Sequence, residues 1–230
     1  MVGNPLHHDK TFKEDIYEEF YTDHHFEPMG IDFAYDAHEV IPRFGWAFDK
    51  ISEMGPKTLL DIGCLDGSFA NTISHHFGTE VTGIDLTEDG IELAKQRAAA
   101  KELPATFYQG SAEEVLQGFV DNNRKFDCIT FFEIIEHVKD VQKLLKLIDQ
   151  VLAPGGTVLV STPAFESPTF GMDDENNKCH IRLYTMEDED YEAVNKYGNT
   201  RKATSITKEI GKDRIKEMGV YSELINVEYQ

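Results

Sequence analysis

An apolar run, Phe126-Asp127-Cys128-Ile129-Thr130-Phe131-Phe132, is followed at once by Glu133-Ile134-Ile135-Glu136-His137. A run of that length and composition predicts a buried strand, so two carboxylates and an imidazole would emerge together at its carboxyl end. With a helical turn starting at Glu133, positions 133, 136 and 137 stand at i, i+3 and i+4 and share one face. Two kinds of chemistry are then open. The three groups could hold a divalent ion that lowers the pKa of a substrate hydroxyl, or His137 alone could remove the hydroxyl proton as a general base. The alternative is that Glu133 caps the following helix while Glu136 and His137 line a pocket without any ion.

A second constellation is Thr58-Leu59-Leu60-Asp61-Ile62-Gly63-Cys64-Leu65-Asp66-Gly67, with Val81-Thr82-Gly83-Ile84-Asp85 downstream. Each apolar run ends in an acid, and the first continues into a glycine turn. Glycines let backbone approach a ligand closely, and an acid at the tip of the second strand can accept both hydroxyls of a ribose. A dinucleotide fingerprint has no acid inside its glycine turn, because the turn places pyrophosphate on a helix N-terminus. Asp61 would repel pyrophosphate and suits a cationic ligand instead.

These residues need a scaffold. From Lys57 onward apolar runs and helical patterns alternate, which predicts an α/β fold with a mostly parallel sheet and helices on both faces. Strands are expected at 57–62, 80–85, 105–109, 126–132 and 157–162, with helices near 68–77, 88–100, 112–118 and 138–152. Ile41, Phe44, Ala47, Phe48, Ile51 and Met54 recur at helical spacing before a stop at Gly55-Pro56. A late helix at 207–218 and a strand at 223–229 complete the expectation, with no further strand evident. Ligands of such sheets bind beyond the carboxyl ends of the strands at the switch point, between the first and fourth strands.

The glycine turn, the two strand-end acids and Leu152-Ala153-Pro154-Gly155-Gly156 together resemble the class I S-adenosylmethionine-dependent methyltransferases, over about residues 55–165. The resemblance implies a Rossmann-like fold that binds S-adenosylmethionine and releases S-adenosylhomocysteine. Carried over, Asp61, Gly63, Cys64 and Gly67 form the first turn, Asp85 holds the ribose and Leu86 lies against adenine. Ser111 and Ala112 follow the third strand where the family often has an acid for the adenine amine, and Phe132 closes the set. Leu65 departs from the family, which often has glycine there. The resemblance also divides the chain into an N-terminal helical lid or cap, 1–55, and a cofactor-binding domain, 56–230. Tyr17, Tyr21, Phe26, Tyr35 and Arg43 are candidates to fold over the cofactor.

The E-x-x-E-H run resembles that of the metal-dependent small-RNA 2′-O-methyltransferases and the ubiquinone-pathway O-methyltransferases. In the former a downstream histidine completes a metal site, which makes His180 the candidate fourth ligand beside Glu133, Glu136 and His137; otherwise it is a surface loop histidine. Such a mixed oxygen and nitrogen set suits Mg, Mn, Fe or Zn. Residues from Ser161-Thr162-Pro163 to His180-Ile181-Arg182 resemble bacterial methyltransferases of surface-sugar synthesis. The expected activity is O-methylation of a small hydroxylated substrate such as a sugar or nucleotide-sugar. Alternatives are metal-independent N- or C-methylation, RNA 3′-end 2′-O-methylation, and a cofactor-binding regulatory subunit without activity.

The formal net charge of -20 and pI near 4.7 oppose association with phosphate backbones and anionic membranes, so nucleic acid is disfavoured as a partner. Three cysteines, Cys64, Cys128 and Cys179, show no paired spacing, which fits a reducing compartment. With no basic-then-apolar leader and no apolar run near the ~18 residues of a membrane span, the expected location is the cytoplasm. The histidine pairs His7-His8, His24-His25 and His75-His76 are adjacent rather than i, i+4, and are expected to be surface residues without a chelating face.

Overall fold

Alternation along the strands feeds two apolar cores, one on each face of a single sheet. The computed structural model describes residues 35–163 and 205–211. Two helices, α1 (Ala37–Val40) and α2 (Pro42–Met54), lead into β1 (Thr58–Ile62), α3 (Ser68–Phe77), β2 (Glu80–Asp85), α4 (Glu88–Ala100) and β3 (Ala105–Gln109). The chain continues through α5 (Ala112–Asp121), β4 (Phe126–Phe132), α6 (Val141–Val151), β5 (Leu152–Pro163) and β6 (Ser205–Gly211). The sheet order is β3-β2-β1-β4-β5-β6, parallel except for β6.

Leu60, Ile129, Phe131, Val158 and Val160 face a core covered by α5 and α6, while Leu59, Val81, Cys128, Phe132 and Leu159 face Trp46, Phe69, Ile73 and Ile91. Each central strand is therefore buried on both sides, as parallel sheets require. Phe126 falls on the same face as Ile129 because the ladder slips between Phe126 and Cys128. Trp46, Ala47 and Ile51 of α2 belong to one of these cores, so the described part of the expected N-terminal cap packs with the sheet.

Five predicted strands and the helices between them are present. The helix over 42–54 stops where Gly55 takes a left-handed φ of 57°, and α6 starts at Val141 because Asp140 caps it, accepting from Lys143 N at 2.9 Å. The late segment corrects the sequence reading: 205–211 is a strand antiparallel to β5, with Val158 opposite Ile210, where a helix from 207 was expected and the late strand was placed only at 223–229. Ile206 and Ile210 are four apart, a spacing that satisfies both a helical period and a strand period of two. Residues 212–230, including the predicted strand at 223–229, lie outside the described residues. So do 1–34, with Tyr17, Tyr21 and Phe26. Among the described residues no helix is long and apolar enough to cross a membrane.

A buried ion pair holds the turn that opens α3. Arg97 Nη1 lies 2.7 Å from Asp66 Oδ2 and also donates to Ser68 Oγ at 3.0 Å, while Asp66 Oδ1 accepts from Ser68 N at 3.1 Å. Asp66 is 1% exposed, so removing its cation leaves a desolvated charge. Arg97→Met is expected to cost about 3 kcal/mol, read as a lowered urea midpoint at unchanged m.

Candidate active site

The first turn is built by backbone hydrogen bonds. Gly63 N and Cys64 N both donate to Ile84 O, at 2.8 and 3.0 Å, and Gly67 N donates to Cys64 O at 2.8 Å. Gly63 and Gly67 have φ of 76° and 69°, values that favour glycine. Leu65, where glycine was the family expectation, adopts a φ of 49° and leaves its side chain partly exposed. Its N–H donates to Asp85 Oδ2 at 2.9 Å, while Asp85 Oδ1 accepts from Thr87 N at 2.9 Å and Thr87 Oγ1 at 2.7 Å. A carboxylate offers about four lone-pair sites, so roughly one stays open for a ligand hydroxyl. Thr87 Oγ1, a rotatable hydroxyl, is the donor that a second ligand hydroxyl would replace.

Asp61 lies beneath this turn, 3% exposed, with Oδ1 accepting from Thr130 Oγ1 at 2.7 Å. Burial raises its carboxyl from the ordinary 3.8 to about 7; the Thr130 bond opposes this and the charge of Asp85 adds to it. A buried acid poised near neutrality fits a cationic ligand, whose charge would draw the proton off. The Cys64 thiol is pushed well above its usual value by burial, then by Asp61 and Asp85, and stays neutral. Leu86 is 39% exposed and offers an apolar surface at the β2 end. Ser111 accepts from Glu114 N at 3.3 Å as the cap of α5, and Ala112 is the first residue of that helix. The Phe132 ring sits in an aromatic group with Phe44 and Phe69, centroids 5.8 and 5.3 Å away.

The segment after β4 is a tight turn and not a helix, which overturns the shared helical face. Glu133 has a φ of 58°, its N–H donates to Ser161 O at 2.9 Å, and His137 N closes the turn on Ile134 O at 2.9 Å. The carboxylates are held across the sheet from β5: Ser161 Oγ donates to Glu133 Oε1 at 2.6 Å and Thr162 Oγ1 to Glu136 Oε2 at 3.0 Å. Parallel register sets Phe132 opposite Ser161, which brings these hydroxyls level with the turn. Sequence reading did not assign Ser161 and Thr162 this role; two hydroxylic residues ending the strand beside β4 were the available signal.

Glu136 is 1% exposed, and its Oε1 has no hydrogen-bond partner. Burial, then the Glu133 charge, push its carboxyl well above the usual range; its backbone bond, Thr162 and Arg43 of α2 pull the other way. His137 Nε2 is 3.9 Å from Glu136 Oε1, too far for a hydrogen bond and close enough for both atoms to reach one bound group. Among the described residues, Glu133, Glu136 and His137 do not bring three ligand atoms within 4.8 Å of one another. His180 lies outside the described residues.

Ile134 joins the two turns. A Cβ built on Gly63 would stand 2.1 Å from Ile134 Cδ1, so side chain and glycine interlock. Gly63→Ala is expected to lose about 1–3 kcal/mol through the left-handed φ and this clash, and to lower cofactor affinity. Adding Ile134→Ala should recover part of the loss in thermal unfolding.

A model of the methyltransferase domain family matches residues 35–200. The ubiquinone biosynthesis O-methyltransferase of Aeromonas salmonicida is 32% identical over 126 residues, covering 54% of this chain and 51% of that protein. Its counterpart from Coxiella burnetii is 36% identical over 106 residues, covering 46% and 43%. The chain thus spans about half the length of the curated relatives it matches. A crystal structure of an S-adenosylmethionine-dependent methyltransferase from Clostridium acetobutylicum has a TM-score of 0.53 at 16% identity, covering 86% of this chain and 96% of that one. That likeness concerns the fold.

Proposed function

The chain belongs to the methyltransferase domain family, and on that premise we propose that it O-methylates a small hydroxylated substrate, a sugar or other polyol. The observation that carries this reading is the buried Glu136, fixed by Thr162 beside His137, at the β4 end next to the Asp61 turn. The relatives named as O-methyltransferases support an oxygen nucleophile. S-adenosylmethionine, when bound, supplies the methyl group on a sulfonium. Asp61 in its ionised form holds the cationic ligand, and Asp85 orients the ribose. His137 accepts the substrate hydroxyl proton, with Glu136 positioned to orient it and favour the imidazolium. Placing the hydroxyl in line supplies much of the barrier reduction. Residues before 35 are proposed to cover the substrate as a cap, with Arg43 and Phe44 at its base. The three cysteines, Cys64, Cys128 and Cys179, show no paired spacing in the sequence, which supports a reducing, cytoplasmic setting.

The test is methyl transfer to a panel of polyols, sugars, nucleotide-sugars, catechols and amines, with product analysis locating the new methyl group. Products methylated on oxygen are expected, and transfer to amine or carbon alone overturns the reading. The net charge of -20 disfavours RNA, and the same panel with an RNA 3′ end checks it. A second reading adds a divalent cation bound by Glu136 and His137, completed by His180, because Glu136 Oε1 is buried without a partner. Under that reading Mg or Mn binds protein saturated with S-adenosylhomocysteine and is lost in Glu136→Ala and His180→Ala; turnover unaffected by chelator excludes it.

A further inference from the structure

We propose that Asp36, His38 and His76 form a binding site for a borderline transition-metal dication of the zinc class, which ties α1 to the end of α3. The three residues each offer one ligand atom, and those atoms all lie within 4.8 Å of one another. Asp36 immediately precedes α1, His38 lies within it, and His76 is in the last turn of α3. The two helices are docked independently of any ion, with Ala37 N donating to Thr72 Oγ1 at 3.3 Å, and just before α1 Tyr35 Oη donates to Arg97 O of α4 at 2.8 Å.

The geometry suits a tetrahedral ion. His76 Nε2 is 3.2 Å from Asp36 Oδ1, and metal bonds of ~2.0–2.1 Å set tetrahedral ligand separations of about 3.3 Å. His76 Nε2 is also 3.1 Å from Tyr35 O, which puts a carbonyl oxygen beside the same point. The imidazoles are oriented by packing. His38 stacks on Phe48 with centroids 3.9 Å apart and planes 9° off parallel, and His76 stands edge-on to both rings at 5.1 and 5.3 Å. Fixed ring orientation is what packing around a metal site ordinarily provides. His38 Nδ1 is buried without a hydrogen-bond partner, a cost that few native ring nitrogens carry. Two imidazoles and one carboxylate select zinc, cobalt or nickel over magnesium and calcium, which prefer all-oxygen shells. Exposed His76 leaves one side open to water.

The site is separate from the proposed active site. Since α3 starts at the glycine turn and runs back across the sheet, its last turn lies toward the amino ends of the strands, opposite the ligand-binding edge. An ion there would pin the segment that leads into α2, the helix carrying Arg43 and Phe44.

The test is calorimetric titration of Zn2+ into the full chain, with Co2+ absorption as the spectroscopic readout. One equivalent is expected, with the visible bands of four-coordinate Co2+ and a raised melting temperature. Binding should weaken at least tenfold in His76→Ala and in Asp36→Asn, both at positions with solvent access, and stay unchanged in Glu136→Gln and His137→Asn. Absence of binding overturns the proposal. So does an equivalent that survives His38→Ala with His76→Ala, which would lie on another histidine pair, or one lost in Glu136→Gln. Circular dichroism of each variant separates lost binding from lost fold.

Discussion

Glu136→Ala is expected to abolish turnover, by at least ~10³-fold, while S-adenosylhomocysteine affinity stays within a factor of about 3 of the parent. The asymmetry follows from position. Glu136 touches Thr162 on β5 and faces His137, whereas the glycine turn proposed to hold the cofactor is built on Ile84, Asp85 and Thr87. Glu136→Gln separates a charge role from a shape role. The amide keeps the contact with Thr162 and cannot ionise, and burial already holds the native carboxyl well above its usual range. A carboxylate that must ionise to balance an imidazolium should leave the Gln variant at least tenfold slower, with kcat falling and KM little changed. Full activity in Glu136→Gln would mean that the site works with a neutral group, and full activity in Glu136→Ala would remove the residue from the mechanism.

The second large effect is at Asp61, where function and stability should oppose each other. In the unfolded chain this carboxyl ionises near 3.8; in the folded protein it holds its proton to about 7. Between those values the native state binds a proton that the unfolded state has lost, so stability falls as pH rises and levels off above 7. A shift of that size corresponds to about 4 kcal/mol at pH 8, because each unit is worth ~1.4 kcal/mol. Asp61→Asn is therefore expected to be more stable than the parent at pH 8 by up to about 4 kcal/mol, with the gap closing toward pH 4. The amide oxygen still accepts from Thr130. Cofactor affinity should fall by about 100-fold or more, since a buried charge-assisted contact is lost. In the parent, affinity should rise with pH up to about 7 and binding near pH 6 should release a proton; both effects should vanish in the variant. Isothermal titration in two buffers of different ionisation enthalpy reads that proton directly. A pH-independent affinity would show that Asp61 does not meet the cation.

Stability and binding thus draw on the same burial. Asp61 sits on the face shared by Cys128, Thr130 and Phe132, and under the proposed reading the sheet that desolvates it would also give it leverage over a charged ligand. A less buried acid would stabilise the fold and bind more weakly.

The central strands and the helices between them were legible in the sequence because their information is local. Runs buried on both faces read as near-continuous hydrophobic stretches, and Gly55, Gly67 and Asp140 mark element ends by their own backbone or capping preferences. The glycine turn was legible for a similar reason: Gly63 and Gly67 carry their left-handed φ in their own residue type, and the acids Asp61 and Asp85 stand at the ends of short apolar runs. Tertiary structure decided the rest. Glu133, Glu136 and His137 read equally well as a helical face, and only the pairing of β4 with β5 shows the turn in which Ser161 and Thr162 hold the carboxylates. Ile206 and Ile210 fit both periods until the edge of β5 selects a strand. His75-His76 carries no chelating spacing of its own, and His76 gains Asp36 and His38 as neighbours only when α1 docks on α3. Short-range backbone preferences are written in neighbouring residues, whereas a site assembled from distant segments exists only once packing has fixed their distances.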